Sequence, residues 1–252
     1  MSTLKLLKAL IEKADFKALS QFASTRFFLV VPLGACFKIV SRVFVQANKR
    51  KACTEVRAAI QNTLAPLGVI VPEAPNQSHS RHPLNEASAK IVLKVYFQQI
   101  LYAPKWMLDF RRECWHFADQ AQQAEWYPNN FYHEPTTAFQ NAVIGLYGGF
   151  YSNDDNAFRS SLETLGLSAA ETEIRAHFGA NQQTAVRFSV AELQRSFASI
   201  FQACEKYKAS IHPEFVILGV MLVSLYDTLE QTQCAIDVRG LWESLLKNNN
   251  GT

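Results

Sequence analysis

A chain of 252 residues with 48% hydrophobic content carries enough apolar surface for one large core or two small ones, so disorder is excluded as its default state. The formal net charge of +3 hides an asymmetry: residues 1–60 hold eleven Lys or Arg against three Asp or Glu, and the remainder holds fourteen against nineteen. Such a basic amino-terminal quarter points to an anionic partner, a lipid surface or a protein, and on charge alone it also admits nucleic acid.

Residues 3–24 place Leu4, Leu7, Leu10, Ile11, Phe16, Leu19 and Phe22 near the helical period, with lysines on the other side. Lys5, Lys8, Glu12, Lys13 and Asp15 interrupt the apolar positions, so no signal peptide is expected. The run from Phe27 to Phe37 is uncharged but stops at Lys38, short of the roughly twenty residues a transmembrane helix needs. It reads either as a buried helix or as one lying in an interface, where Lys38, Arg42, Lys49, Arg50, Lys51 and Arg57 would face the anionic partner. A helix over 50–65 follows, ending near Pro66 and Gly68. The proline-rich stretch 72–83 has no periodicity and is taken as a linker, dividing a basic segment (1–71) from a helical body (84–247).

Residues 85–102 fit a helix with Ile91, Val92, Val95, Tyr96, Ile100 and Leu101 inward, although Lys90 to Phe97 also reads as a strand. After Pro104, the positions Trp106, Met107, Phe110, Cys114 and Phe117 predict another helix to about Ala124. The aromatic, turn-rich connection Trp126–Pro135 is expected to pack onto the body. Helices are then predicted over 136–151, over 154–165 with Asn153 or Asp154 as N-cap, and over 168–178, where Ser168 and Glu171 have capping-box spacing. Ser189 and Glu192 repeat that spacing before a helix whose inward face is Val190, Leu193, Phe197, Ile200, Phe201, Cys204 and Tyr207. The next helix starts at Pro213 and runs through Phe215–Val223 almost without polar relief, the pattern of a buried rod. A last helix over 237–247 completes an all-α bundle of about nine or ten helices around that rod, with no alternating-period sheet.

The five cysteines are odd in number and widely spaced, and they read as reduced core residues of a cytoplasmic protein, free or membrane-associated. No Cys/His cluster has zinc spacing. Glu113 and His116 sit at the Glu-x-x-His spacing that shares one face of a helix, but no second pair completes a di-iron set. A metal site would have to recruit His133, His177 or His212 through the fold; Glu113, His116, His177 and His212 are the candidate ligands, with iron or manganese the metal. The preferred expectation is no cofactor. His212-Pro213-Glu214 is explained by helix capping, and Gly145, Gly148 and Gly149 by close helix packing, since no phosphate-binding loop surrounds them. Arg111 and Arg112 with Trp106, Trp115 and Trp126 read as an arginine face over core tryptophans, or as a groove wall. A hydrophobic-ligand pocket would gather Trp106, Trp115, Phe215 and Met221.

Three stretches carry a family resemblance: Phe150-Tyr151-Ser152-Asn153-Asp154 before a helix ending Leu165-Gly166-Leu167, then Val186-Arg187-Phe188, then Ile211 to Gly219 leading to Leu225-Tyr226. Residues 139–245 resemble the helical tail that follows the kinase core in UbiB-type atypical kinases. The kinase motifs are missing: Asp109-Phe110 is followed by Arg111, and His82-Pro83-Leu84-Asn85 lacks the Asp of a catalytic loop. The resemblance therefore implies a helical module near membranes or lipids, with a quinone or isoprenoid partner, and no inherited phosphoryl transfer. The favoured function is a non-catalytic accessory or binding protein at a membrane periphery. A metal-dependent oxidoreductase and a hydrophobic-ligand carrier are the alternatives.

Overall fold

The computed structural model describes residues 25–73, 84–117, 124–179 and 185–249. The expected amino-terminal helix (3–24), nearly all of the expected linker (74–83) and the last tail residues lie outside the described residues. Ten α-helices and three small sheets occur among the described residues. Contacts gather the chain into two compact units: one within Met1–Arg42, Pro135–Gln183 and Val190–Val223, the other within Val43–Glu134, Thr184–Ser189 and Ser224–Thr252. Residues on both sides of 74–83 thus belong to the same unit.

In the first unit, the apolar run after Thr25 is not one helix. Helix α1 (Thr25–Val30) stops before Pro32, and α2 (Leu33–Ala47) restarts from it, because a proline nitrogen cannot donate into the helix behind it. Helices α5 (Thr137–Ser152) and α6 (Asp155–Thr164) form a hairpin. Asn153 turns the chain in the left-handed region at φ 58°, and Asp154 caps α6 by accepting from the Ala157 amide at 3.0 Å. A Cβ at Gly149 would lie 2.6 Å from the Phe158 amide nitrogen, and one at Gly145 would collide with Ser161 Oγ. The glycines are therefore there for close helix packing, as their setting in the sequence suggested.

Helix α7 (Glu171–Phe178) departs from expectation at its start. Ser168–Ala170 forms a 3₁₀ turn, Ala170 occupies the cap with no side-chain hydrogen bond, and no Ser168–Glu171 box forms. Glu171 instead pairs with Arg175 at 2.9 Å and Arg159 at 3.2 Å. Along α8 (Val190–Lys206), Leu193, Phe197, Ile200, Phe201 and Cys204 are buried as their period predicts. Tyr207 is not inward: the helix ends one residue earlier, and Tyr207 is 64% exposed in the turn that follows. Helix α9 (Phe215–Glu230) has Phe215–Leu218 and Val220–Val223 all buried. Its first turn is closed by the Phe215 amide donating to the His212 carbonyl at 2.9 Å, so Pro213 and Glu214 precede the helix proper.

In the second unit, α3 (Arg50–Leu64) buries Cys53, Val56, Ile60 and Leu64 and ends through Pro66 and a left-handed Gly68. Helix α4 (Glu86–Tyr102) is helical throughout, settling the strand alternative for Lys90 to Phe97; Asn85 and Ser88 form its capping box. Among the described residues of the predicted helix from Pro104 to about Ala124, none is α-helical. The chain there forms β2 (Trp106–Met107), a 3₁₀ turn at Arg112–Cys114 and β3 (Trp115–Phe117). β3 pairs antiparallel with β4 (Ala124–Trp126), which pairs in parallel with β1 (Val69–Ile70); β2 pairs with β5 (Tyr132–His133). The apolar spacing mimicked a helix because Trp106, Met107, Phe110, Cys114 and Phe117, all buried, are spread over two strands of two and three residues and the stretch between them, too short to display a period of two. β6 (Ala185–Arg187) and β7 (Ala235–Asp237) pair antiparallel, and α10 (Val238–Asn249) packs against α4, with the Trp242 and Phe97 rings 5.1 Å apart.

Candidate functional site

The structure takes away the geometric premise of the Glu113–His116 site. Glu113 lies in the 3₁₀ turn and His116 in β3, opposite Glu125, so the two do not share a helix face. Glu113 is half-exposed and pairs with Arg111 at 3.1 Å. His177 and His212 belong to the other compact unit. His212 stacks on Phe139 at 5.0 Å, and its Nδ1 accepts from the Glu214 amide at 3.2 Å; burial lowers its pKa, against the pull of Glu214. Among the described residues no group of three or more His, Cys, Asp or Glu is arranged to hold a metal ion.

The most strongly organised polar group is one that sequence patterning missed. Asp109 is fully buried, and its carboxylate accepts from Arg111 Nε at 2.8 Å, Arg111 Nη2 at 2.9 Å, the Arg111 amide at 3.2 Å and the Asn129 amide at 3.4 Å. The carboxylate raises the Arg111 pKa, and burial, with Asp109 adding to it, pushes the Cys114 thiol far above its ordinary value. The irregular backbone around Asp109 is satisfied by side chains. Trp126 Nε1 donates to the Asp109 carbonyl at 3.0 Å, Trp115 Nε1 to the Phe110 carbonyl at 3.2 Å, and Thr228 Oγ1 to the same Phe110 carbonyl at 2.7 Å. Ser224 Oγ accepts from the Phe110 amide and donates to the Leu108 carbonyl, both at 3.2 Å. Trp115 and Trp126 stack at 5.4 Å beside Phe110. A carboxylate that already accepts four N–H groups is a strut for this unit and is poorly placed to act as a base.

Glu214 is a second buried acid with its oxygens occupied. Oε2 accepts from the Thr136 amide at 3.0 Å and Oε1 from the Thr136 hydroxyl at 2.7 Å, so it anchors the start of α5, where a carboxylate meets the positive end of the helix dipole.

The expected pocket residues are divided: Trp106 and Trp115 belong to the second unit, and Phe215 and Met221 to the first. Met221 is fully buried. The first unit does contain a half-open apolar cavity of about 40 Å³, walled by Leu146, Phe178, Phe197, Phe215 and Leu222, with His177 and Ser196 as polar members. The apolar walls push the His177 pKa down to about 4, so its ring is neutral near pH 7.

The basic residues form the clearest surface feature. Helix α2 buries Cys36, Val40 and Val43 on one side and exposes Gly34, Lys38, Arg42 and Val45 on the other. No Asp or Glu occurs between Asp15 and Glu55. Lys49, Arg50 and Lys51 are exposed as α3 begins. Arg57 is turned inward: its guanidinium donates to the Pro72 carbonyl at 3.3 Å and the Asn130 side chain at 3.1 Å, and also reaches the Pro128 carbonyl. It holds loops together and is not part of the exposed basic face.

Compared with known protein families and with curated proteins, the chain matches no family model and no curated sequence. No described helix is long and apolar enough to cross a membrane.

Proposed function

We propose that this is a non-catalytic accessory protein that binds an anionic lipid surface peripherally through the outer face of α2. The observation that carries the reading is the exposed set Lys38, Arg42 and Val45 on one face of α2, in a stretch free of carboxylates. A basic face with an exposed aliphatic residue suits the headgroup layer, where cations meet lipid phosphates and the aliphatic group leaves water. Each Lys or Arg near such a surface contributes about 1 kcal/mol, screened within a Debye length. The resemblance of residues 139–245 to the helical tail of UbiB-type kinases points to the same neighbourhood.

The test is flotation with phosphatidylcholine vesicles, with and without phosphatidylglycerol. Binding should require the anionic lipid and weaken as salt rises. Lys38→Glu with Arg42→Glu replaces two attractions by two repulsions and should reduce partitioning by more than about tenfold. Equal binding of the variant, or no binding to anionic vesicles by the parent chain, would overturn the reading. Tighter binding to duplex or single-stranded RNA than to vesicles would transfer the basic face to nucleic acid.

The cavity beside His177 supports a second reading, a carrier of an apolar ligand. At about 40 Å³ it admits the end of a chain or a small ring substituent and not a whole isoprenoid. Stabilisation of the first unit by short alkanes or alkanols, abolished by Leu222→Trp, would favour it.

A further inference from the structure

The sequence pattern placed Tyr207 in the core, and the structure places it outside, at 64% exposure, between two exposed lysines, Lys206 and Lys208. Lys206 Nζ lies 5.2 Å from the centre of the Tyr207 ring. Lys208 adopts a left-handed φ of 53°, which turns the chain sharply after α8. That turn is joined to α1 by the Ile211 amide donating to the Val30 carbonyl at 2.8 Å. A recess of about 290 Å³ follows, bordered by Leu29, Pro32, Glu205, Lys208 and Ser210. Leu29 is itself 64% exposed, whereas its neighbours Phe27, Phe28, Val30 and Val31 are buried. Among the described residues bordering the recess the one carboxylate, Glu205, is answered by Arg26 at 3.6 Å, so the excess of charge among them is positive.

Leu29 and Lys208 on the wall of this recess, with the exposed Tyr207 next to Lys208 in the adjoining turn and Lys206 before it, combine three interfacial preferences. The aliphatic group gains by leaving water, the phenol ring sits at headgroup depth, and lysine stems lie along apolar surface while their ammonium groups reach phosphate. Nucleic acid would reward the lysines but give the leucine nothing. We infer that the Leu29–Tyr207 patch is the part of this protein that enters the headgroup layer of an anionic bilayer, with Lys206 and Lys208 on the lipid phosphates around it. This rests on the peripheral-binding reading and adds a second, apolar anchor, in α1 and the α8–α9 turn, to the basic face of α2.

The four native tryptophans are all buried, so a reporter placed at the patch stands out against a quiet background. The experiment uses the full chain carrying Tyr207→Trp, mixed with phosphatidylcholine/phosphatidylglycerol vesicles with or without brominated acyl chains. On binding, the extra emission should shift to the blue and be quenched by the brominated lipid, with neither effect in the parent chain. In parallel, Leu29→Ser with Tyr207→Ser should lower vesicle partitioning by about tenfold while leaving the salt dependence intact, because it removes apolar contact and no charge. Both positions are exposed, and an unchanged far-ultraviolet spectrum and melting curve verify that the variant is folded. If the double serine variant partitions like the parent while Lys38→Glu with Arg42→Glu does not, the patch inference falls and the peripheral reading stands. If the parent ignores anionic vesicles and binds an acidic protein or RNA instead, both fall.

Discussion

Replacing Asp109 by Asn keeps the volume and shape of a fully buried side chain and removes its charge. The loss can be worked from the contacts. Two charge-assisted hydrogen bonds from Arg111, at 2.8 and 2.9 Å, are weakened, and one carboxylate oxygen becomes an amide group that faces donors it cannot accept. Arg111 is only 19% exposed, so its charge cannot simply return to water, although Glu113 at 3.1 Å remains as a partial partner. Hydrogen bonds to charged groups contribute about 1.5–3 kcal/mol each, and stranding one member of a buried pair costs about 3–5 kcal/mol; with Glu113 retained, about 3 kcal/mol is expected. All four tryptophans lie in the same unit as Asp109, and Trp115 and Trp126 bond directly to this backbone, so tryptophan emission during a urea titration reports the affected unit. With a slope of about 1.5 kcal/mol per molar urea, the midpoint should fall by about 2 M. The double substitution Asp109→Asn with Arg111→Met, which removes both charges, should recover most of the loss. A midpoint shift under about 0.5 M for Asp109→Asn at unchanged slope would refute the strut assignment.

The depressed pKa of His177, about 4 in the fold against 6.5 unfolded, makes the unfolded chain bind more protons between those values, so stability is present above about pH 6.5 and is lost as pH falls toward 4. Allowing for the ring's partial exposure, the loss should be about 2 kcal/mol, and His177→Gln should flatten the pH dependence of the melting temperature over that window; parallel profiles would count against it. Gly149→Ala drives a Cβ to 2.6 Å from backbone in α6 and should cost about 3 kcal/mol by chemical denaturation, whereas Gly34→Ala, with nothing within 4 Å of the new atom, should be neutral or stabilising by up to about 1 kcal/mol. Elemental analysis of untagged protein should find iron and manganese well below stoichiometric; stoichiometric metal that is lost in both Glu113→Ala and His116→Ala would revive the oxidoreductase reading.

The long helices were legible in the sequence because they carry their own period and their own punctuation. Phe197, Ile200, Phe201 and Cys204 repeat at helical spacing, Asp154 caps the helix it precedes, and Phe215–Val223 is apolar on every side and buried accordingly. These are local properties of neighbouring residues. What the sequence could not decide was non-local. β2 and β3 are two and three residues long and exist through pairing across the chain, so Trp106, Met107, Phe110, Cys114 and Phe117 resembled a helix stripe until their partners were known. Asp109 is distinguished by burial and by Arg111, Asn129 and the tryptophans folded around its backbone, none of which a motif records. Tyr207 continues the apolar period of α8 by one more step, but the helix ends at Lys206, and the turn that closes it carries the ring into solvent. Periodicity states which side of a helix prefers the core; only the tertiary structure decides where the helix stops and which groups meet there.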